Sequence, residues 1–269
     1  MARPLLVIGV VFALVFLVCL LALLTRRERR PLGPRWPSTI FCFLVRDGEA
    51  YLEDNVRAIV HFAEEHCQSW KIHYVENDSS DGTRDILDDL EWEYGPAFRG
   101  ERLDDVSGLH TQDICAAKQE PDNCQERILL LAMLRQRLVD AALEAKTEVL
   151  VMVDLDFVSF DAEALARLYP AAVALEADGA FGMSVKAHGA KLYDRGAVRP
   201  LNVLPAMDDV SADPVPVRSA FSGFGVYMTN ALRRNGASYK DATGLEMEHV
   251  SFNSSLKGLF VDRRFRPRY

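Results

Sequence analysis

The sequence predicts an α/β protein: a mostly parallel sheet of the Rossmann type, flanked by helices and preceded by one N-terminal transmembrane helix. Three observations predict it. Residues 5–24 run without a charge, and at about 1.5 Å per residue they span the roughly 30 Å hydrocarbon core of a bilayer. Residues 39–145 alternate short runs of strand formers with segments of 3.6-residue apolar spacing, the order of helices wound around a parallel sheet. Residues 149–153 are unbroken Val, Leu and Met and lead into Asp154-Leu155-Asp156. Such a run suits a parallel strand covered on both faces, with two carboxylates emerging where ligands of open sheets gather.

The apolar run at 5–24 exceeds the core of a cleavable signal peptide, and no small-x-small site follows Leu24, so it reads as an anchor. Arg26, Arg27, Arg29 and Arg30 follow it, while Arg3 alone precedes it. This bias favours a cytoplasmic domain on a single-pass protein. A Golgi-lumenal type II orientation is the alternative: Cys115 and Cys124 bracket a polar stretch and could close a disulfide in an oxidising compartment. The chain thus divides into a tail, anchor and basic flank at 1–30, a Pro-rich linker at 31–38 and one domain at 39–269. A net charge of −8 and a pI near 5.3 argue against a nucleic-acid-binding surface. No Cys-x-x-Cys pair occurs, which disfavours structural zinc.

Within the domain, 39–45 is a strand ended by Arg46-Asp47-Gly48 turn chemistry. Leu52, Val56, Ile59, Val60 and Ala63 then mark an amphipathic helix to His66. Residues 71–76 form a second strand, and 84–92 the next helix; together these make a βαβ unit. Residues 101–123 read as an irregular loop. A long helix at 125–145 carries Arg127, Arg135 and Arg137, which could reach a phosphate or line a solvated face. Beyond the Asp154-Leu155-Asp156 strand the sequence predicts a helix at 161–175, a strand at 180–185 and a Pro-rich loop at 196–217. The segment 220–228 follows, with glycines that admit a close ligand. Residues 244–253 place Glu246, Glu248 and His249 within four positions.

Four pieces thus stand in order: Glu76-Asn-Asp-Ser-Ser-Asp-Gly-Thr83, Asp154-Leu-Asp156, Ser222-Gly-Phe-Gly225 and Glu246-Met-Glu-His249. Together they resemble glycosyltransferases of the GT-A fold, and most of all the fungal capsule-associated, Cap-type mannosyltransferases. Those have a similar E-x-x-S-x-D-x-T loop, an arginine-bearing helix before Asp-x-Asp, and a late Glu-His-Val segment. The likeness covers residues 39–256 and departs at Gln136, where related proteins show Asn. It implies a membrane-anchored, metal-dependent transferase moving a hexose, mannose in the nearest likeness, from a GDP- or UDP-sugar to a glycan or lipid-linked acceptor.

By that resemblance Glu76, Asp78, Asp81, Arg135 and Asp154 meet the nucleotide sugar, and Ser222, Gly223 and Phe224 line the acceptor side. Asp154 and Asp156, with His249 as third ligand, hold Mn²⁺ or Mg²⁺ against the diphosphate. Glu246 or Glu248 takes the acceptor proton if the transfer inverts, with Glu246 favoured because Glu248 adjoins His249. Sugar-nucleotide synthesis on a related fold needs a glycine-rich first βα turn, which Arg46-Asp47-Gly48 is not. A non-catalytic carbohydrate-binding protein of this fold would tolerate a damaged acidic pair, and here it is intact.

Overall fold

The computed structural model describes residues 35–106, 124–186, 197–201 and 213–269. The anchor expected at residues 5–24, its arginine flank and Cys115 lie outside them. Among the described residues no helix is long and apolar enough to cross a membrane. Cys124 is disulfide-bonded, while Cys42 and Cys67 are buried free thiols.

β1 (Trp36–Val45) takes its first three residues from the predicted linker, because Trp36 is drawn inward against Phe62 and Tyr169. After it come α1 (Leu52–His66), β2 (Cys67–Asn77), α2 (Thr83–Tyr94), β3 (Phe98–Leu103), α3 (Gln125–Glu144) and β4 (Val149–Asp154). β1 lies parallel between β2 and β4, and β3 adds in parallel to β2. β3 falls where the sequence predicts the start of a loop. Its Arg99, Glu101 and Arg102 hide the strand pattern, yet charges are what a sheet edge uses to repel further pairing.

The period of two along the central strands sorts their side chains between two cores. Phe41, Phe43, Val45, Val149, Val151 and Val153 pack with α1 and α2. Ile40, Cys42, Leu150 and Met152 face the other way, against Ala132, Leu138, Val139 and Ala142 of α3. Each fully buried aliphatic or aromatic side chain contributes about 1.5–3 kcal/mol. That double burial is why β4 reads as an unbroken apolar run.

The helix expected at 161–175 is two helices, α4 (Ala162–Ala166) and α5 (Leu168–Ala174). Pro170 has no N–H to offer Ala166, and the Ala166 carbonyl instead accepts the Trp36 indole N–H at 2.9 Å. The rest comprises β5 (Gly179–Phe181), β6 (Arg199–Pro200), β7 (Val215–Ser219), β8 (Phe224–Met228), α6 (Thr229–Asn235), α7 (Glu248–Asn253) and β9 (Phe260–Val261).

The sheet order is β3-β2-β1-β4-β8-β5-β9-β7-β6. It is mixed rather than mostly parallel, since β8 runs antiparallel to both β4 and β5 and β7 antiparallel to β9. The turn at Ser222-Gly223 explains the reversal: it delivers the chain at the tip of β4, where Asp154 N–H donates to Gly223 O at 2.8 Å, and β8 must run back from there.

Candidate active site

The carboxyl ends of β2, β1 and β4 lie side by side, with Val45 opposite Glu76 and Leu44 opposite Asp154. The loops leaving β1 and β2 are laced together. Asp47 Oδ1 accepts from Ser80 N at 2.8 Å and Ser80 Oγ at 3.1 Å. Gly48 N donates to Thr83 Oγ1 at 2.7 Å, and Glu49 N to Asp81 Oδ2 at 3.0 Å. The other Asp81 oxygen accepts from Thr83 N and Oγ1 at the start of α2. Burial opposes ionisation of Asp81, but these hydrogen bonds hold its carboxyl below the usual range. Glu76, with no exposed surface, accepts from Ser79 N and from Arg84 Nε, each at 2.8 Å. Both its oxygens shape the loop. Asp78, the first residue after β2, has a φ of 51° and donates its N–H to Leu103 O at 3.1 Å.

At the tip of β4, Arg135 from α3 bridges two carboxylates. Its Nη2 donates to Asp154 Oδ1 at 2.8 Å, its Nη1 is in close contact with the fully buried Glu248, and its guanidinium lies 5.0 Å from the Phe221 ring centroid. His249 follows on: Tyr239 Oη is 2.8 Å from its Nδ1, Glu248 is 3.5 Å from its Nε2, and its ring stacks on Phe221. Burial first, and the Arg135 charge second, hold this imidazole well below its ordinary value, so it is neutral.

Asp156, two residues beyond Asp154, is exposed to solvent. Desolvation, then the Asp154 charge, raises its carboxyl to about 6, and because the side chain reaches water, solvent moderates that shift. Tyr51 feels the same ground. Its phenol is pushed up to about 12 by burial and by the charges of Asp156, Asp81, Asp154 and Asp47, in that order. Carboxylates at strand tips are the residue type that can receive a cation or a cation-bound diphosphate.

No family profile matches the sequence, and no curated protein matches it. Solved structures do resemble the chain in three dimensions. S. aureus TarS (residues 1–349) in complex with UDP superposes with a TM-score of 0.52 at 12% identity, over 86% of this chain and 60% of that one. GalNAc-T7 with UDP, GalNAc and Mn²⁺ gives 0.54 at 12% identity, over 86% of this chain and 43% of that one. Both are GT-A-type glycosyltransferases. The fold is GT-A. The chain spans about 60% of the length of the TarS fragment.

Within this GT-A domain the structure places Glu76 buried at the end of β2, Asp78 and Asp81 on the loop that follows, and Arg135, Asp154 and Glu248 in one ion-paired chain. It does not bring His249 to the acidic pair. The imidazole is held by Tyr239, Phe221 and Glu248, Arg135 bridges from Asp154 to Glu248, and among the described residues no three His, Cys, Asp or Glu side chains converge on a metal position. The expected acceptor role of Phe224 is corrected as well: its ring is wholly buried among Phe157, Phe160 and Phe265.

Ser222 is buried, with φ of 53° and its carbonyl accepting from Ser184 Oγ. At Gly223, φ is 75° and a Cβ would collide with the Tyr269 hydroxyl, so only glycine fits this tip. Glu246 stands exposed in the loop before α7, whereas Glu248 is sequestered by Arg135.

Three contributors carry no motif that sequence reading would find. Asn55 of α1 holds the backbone around Asp156, Tyr51 sits among the carboxylates, and Tyr269 Oη donates to Asp154 O at 3.2 Å. A cavity of about 530 Å³ lies at the opposite end of β4, around Lys146, Glu148, Asp178 and Arg234. Its best-placed charges neutralise each other, as in the 2.9 Å Arg234–Asp178 pair, and it is remote from the strand tips where the acidic residues gather.

Proposed function

We propose that the chain is a metal-dependent glycosyltransferase that binds a nucleotide sugar across the tips of β2, β1 and β4 and transfers a hexose to a glycan or lipid-linked acceptor. The observation that carries this reading is the Asp154–Asp156 pair at the carboxyl end of β4 in a GT-A sheet, beside the Asp47 and Asp81 loops that are hydrogen-bonded to each other at the ends of β1 and β2. The bound UDP in both TarS and GalNAc-T7 supports a nucleotide donor and favours UDP over GDP. The likeness to capsule-associated enzymes leaves mannose as the sugar to test first against the UDP-sugars.

The acidic pair fits a divalent cation. Asp154 and Asp156 are two carboxylates separated by one residue at the end of β4; Arg135 holds one Asp154 oxygen, and Asp156 is exposed. These two residues would hold Mn²⁺ or Mg²⁺, whose chemistry when bound is to neutralise charge on the departing diphosphate. Arg135 fixes Asp154 from behind, and the laced β1 and β2 loops form the wall on which a nucleoside rests. Asp78, the first residue after β2, is the carboxylate assigned to accept from a ribose hydroxyl or base N–H. Glu246 is the carboxylate free to reach an acceptor hydroxyl and take its proton. An anchor at residues 5–24 would keep the domain at a membrane.

The test is hydrolysis and transfer by the full-length protein over a panel of UDP- and GDP-sugars with Mn²⁺, Mg²⁺ or EDTA. Turnover of at least one sugar nucleotide that stops in EDTA is expected. No turnover of any, or turnover indifferent to EDTA, contradicts the reading.

A further inference from the structure

Asn55 stands where the amphipathic period of α1 requires an apolar residue. Its neighbours on the sheet-facing side, Leu52, Val56 and Ile59, are all buried, and Asn55 itself is 8% exposed. A carboxamide there costs stability unless its donors are used. They are used on one short stretch of chain: Nδ2 donates to Leu155 O and to Phe157 O, each at 2.7 Å. These are the carbonyls of the two residues on either side of Asp156. Two carbonyl acceptors require the amide nitrogen on that side, and only a side chain with two protons on one nitrogen serves both.

Pinning both carbonyls fixes the peptide plane that enters Asp156 and the one that leaves Phe157, and so restrains the backbone between them and the direction in which the Asp156 Cα–Cβ bond leaves it. Asp154 is held by other means: its side chain by Arg135, its N–H by Gly223 O and its carbonyl by Tyr269. The two carboxylates are therefore oriented from opposite faces of the sheet. Asp154 is set from α3 and Asp156 from α1.

We propose that Asn55 is a positioning residue that aims the Asp156 carboxylate at the cation held with Asp154. The proposal rests on the reading of the acidic pair as a metal site. Groups that orient a metal-binding carboxylate typically account for about 10–100-fold in metal affinity.

The experiment titrates Mn²⁺ into the full-length protein with UDP present and follows free Mn²⁺ by electron paramagnetic resonance. Asn55→Leu, which refills the site without donors, and Asn55→Ser, which keeps one donor, are compared with Ile59→Ala. The last removes buried volume one turn along the same helix and touches neither carbonyl. Asn55→Leu is expected to bind Mn²⁺ about 10–100-fold more weakly and Asn55→Ser by an intermediate factor. Ile59→Ala should lower the melting temperature yet keep wild-type Mn²⁺ affinity, which separates aiming from general stability. Wild-type binding matched within twofold by folded Asn55 variants overturns the positioning role alone. Absence of Mn²⁺ binding by the wild type overturns the metal reading on which it stands.

Discussion

Replacing Arg135 with methionine removes the cation that joins the tip of β4 to α7. The Arg135 side chain is 8% exposed, Glu248 fully buried and Asp154 22% exposed. Truncating one partner of a buried pair costs about 3–5 kcal/mol, because the remaining charge is stranded in a poor solvent. Glu248 bears most of that cost, since Asp154 can turn to water. At about 2–4 °C per kcal/mol for a domain of this size, the melting midpoint should fall by about 6–20 °C. Thermal unfolding by circular dichroism measures it. A cycle with Glu248→Gln tests the cause: in the Arg135→Met background that second change should restore part of the loss, whereas alone it should destabilise. A loss below about 1 kcal/mol would refute the argument, as would Glu248→Gln costing the same in both backgrounds, because a pair that carries no coupling cannot be what holds Asp154.

Three further outcomes follow from the same geometry. His249 is neutral in the fold, and His66 and His73 are also lowered by burial. Below about pH 6.5 the unfolded chain therefore takes up protons that the native chain refuses, and each such histidine removes up to about 1.4 kcal/mol per pH unit until its folded pKa is reached. Urea unfolding between pH 7 and 5 should show that decline, and His249→Gln should make it shallower; an unchanged slope contradicts the burial of a neutral imidazole. Thr83→Val leaves the buried Gly48 N–H without its acceptor and should cost about 1–3 kcal/mol by urea unfolding. Phe224→Ala should cost about 3–5 kcal/mol by the same method, whereas a change within about 0.5 kcal/mol would return that ring to a surface role.

The parallel half of the sheet was legible because its signals are local. Val149 to Val153 are apolar without interruption since both cores press on them, and the spacing from Leu52 to Ala63 is that of a helix with one buried face. The direction of β8 was not legible, because it is decided by a two-residue turn at Ser222-Gly223 that folds onto Asp154 and leaves no periodic trace. β3 was hidden by the charges that suit an edge.

In the site, Asp154 and Asp156 announced themselves as carboxylates at the end of a core strand. His249 misled because sequence proximity to Glu246 and Glu248 carries no information on where α7 points its imidazole, which is inward to Tyr239 and Phe221. Asn55 carried a faint signal, a polar residue on an apolar helical face, but its meaning required knowing that Leu155 and Phe157 lie across from it.

The central claim is that a divalent ion and a nucleoside diphosphate meet at Asp154 and Asp156. Calorimetric titration of UDP and GDP into the wild type and Asp156→Ala, each with Mn²⁺ and again with EDTA, tests it most directly. Binding of at least one nucleotide that is strengthened by Mn²⁺ in the wild type and insensitive to Mn²⁺ in the variant is the expected result. Mn²⁺-strengthened binding that survives in Asp156→Ala, or nucleotide binding that ignores Mn²⁺ in the wild type, would contradict the account.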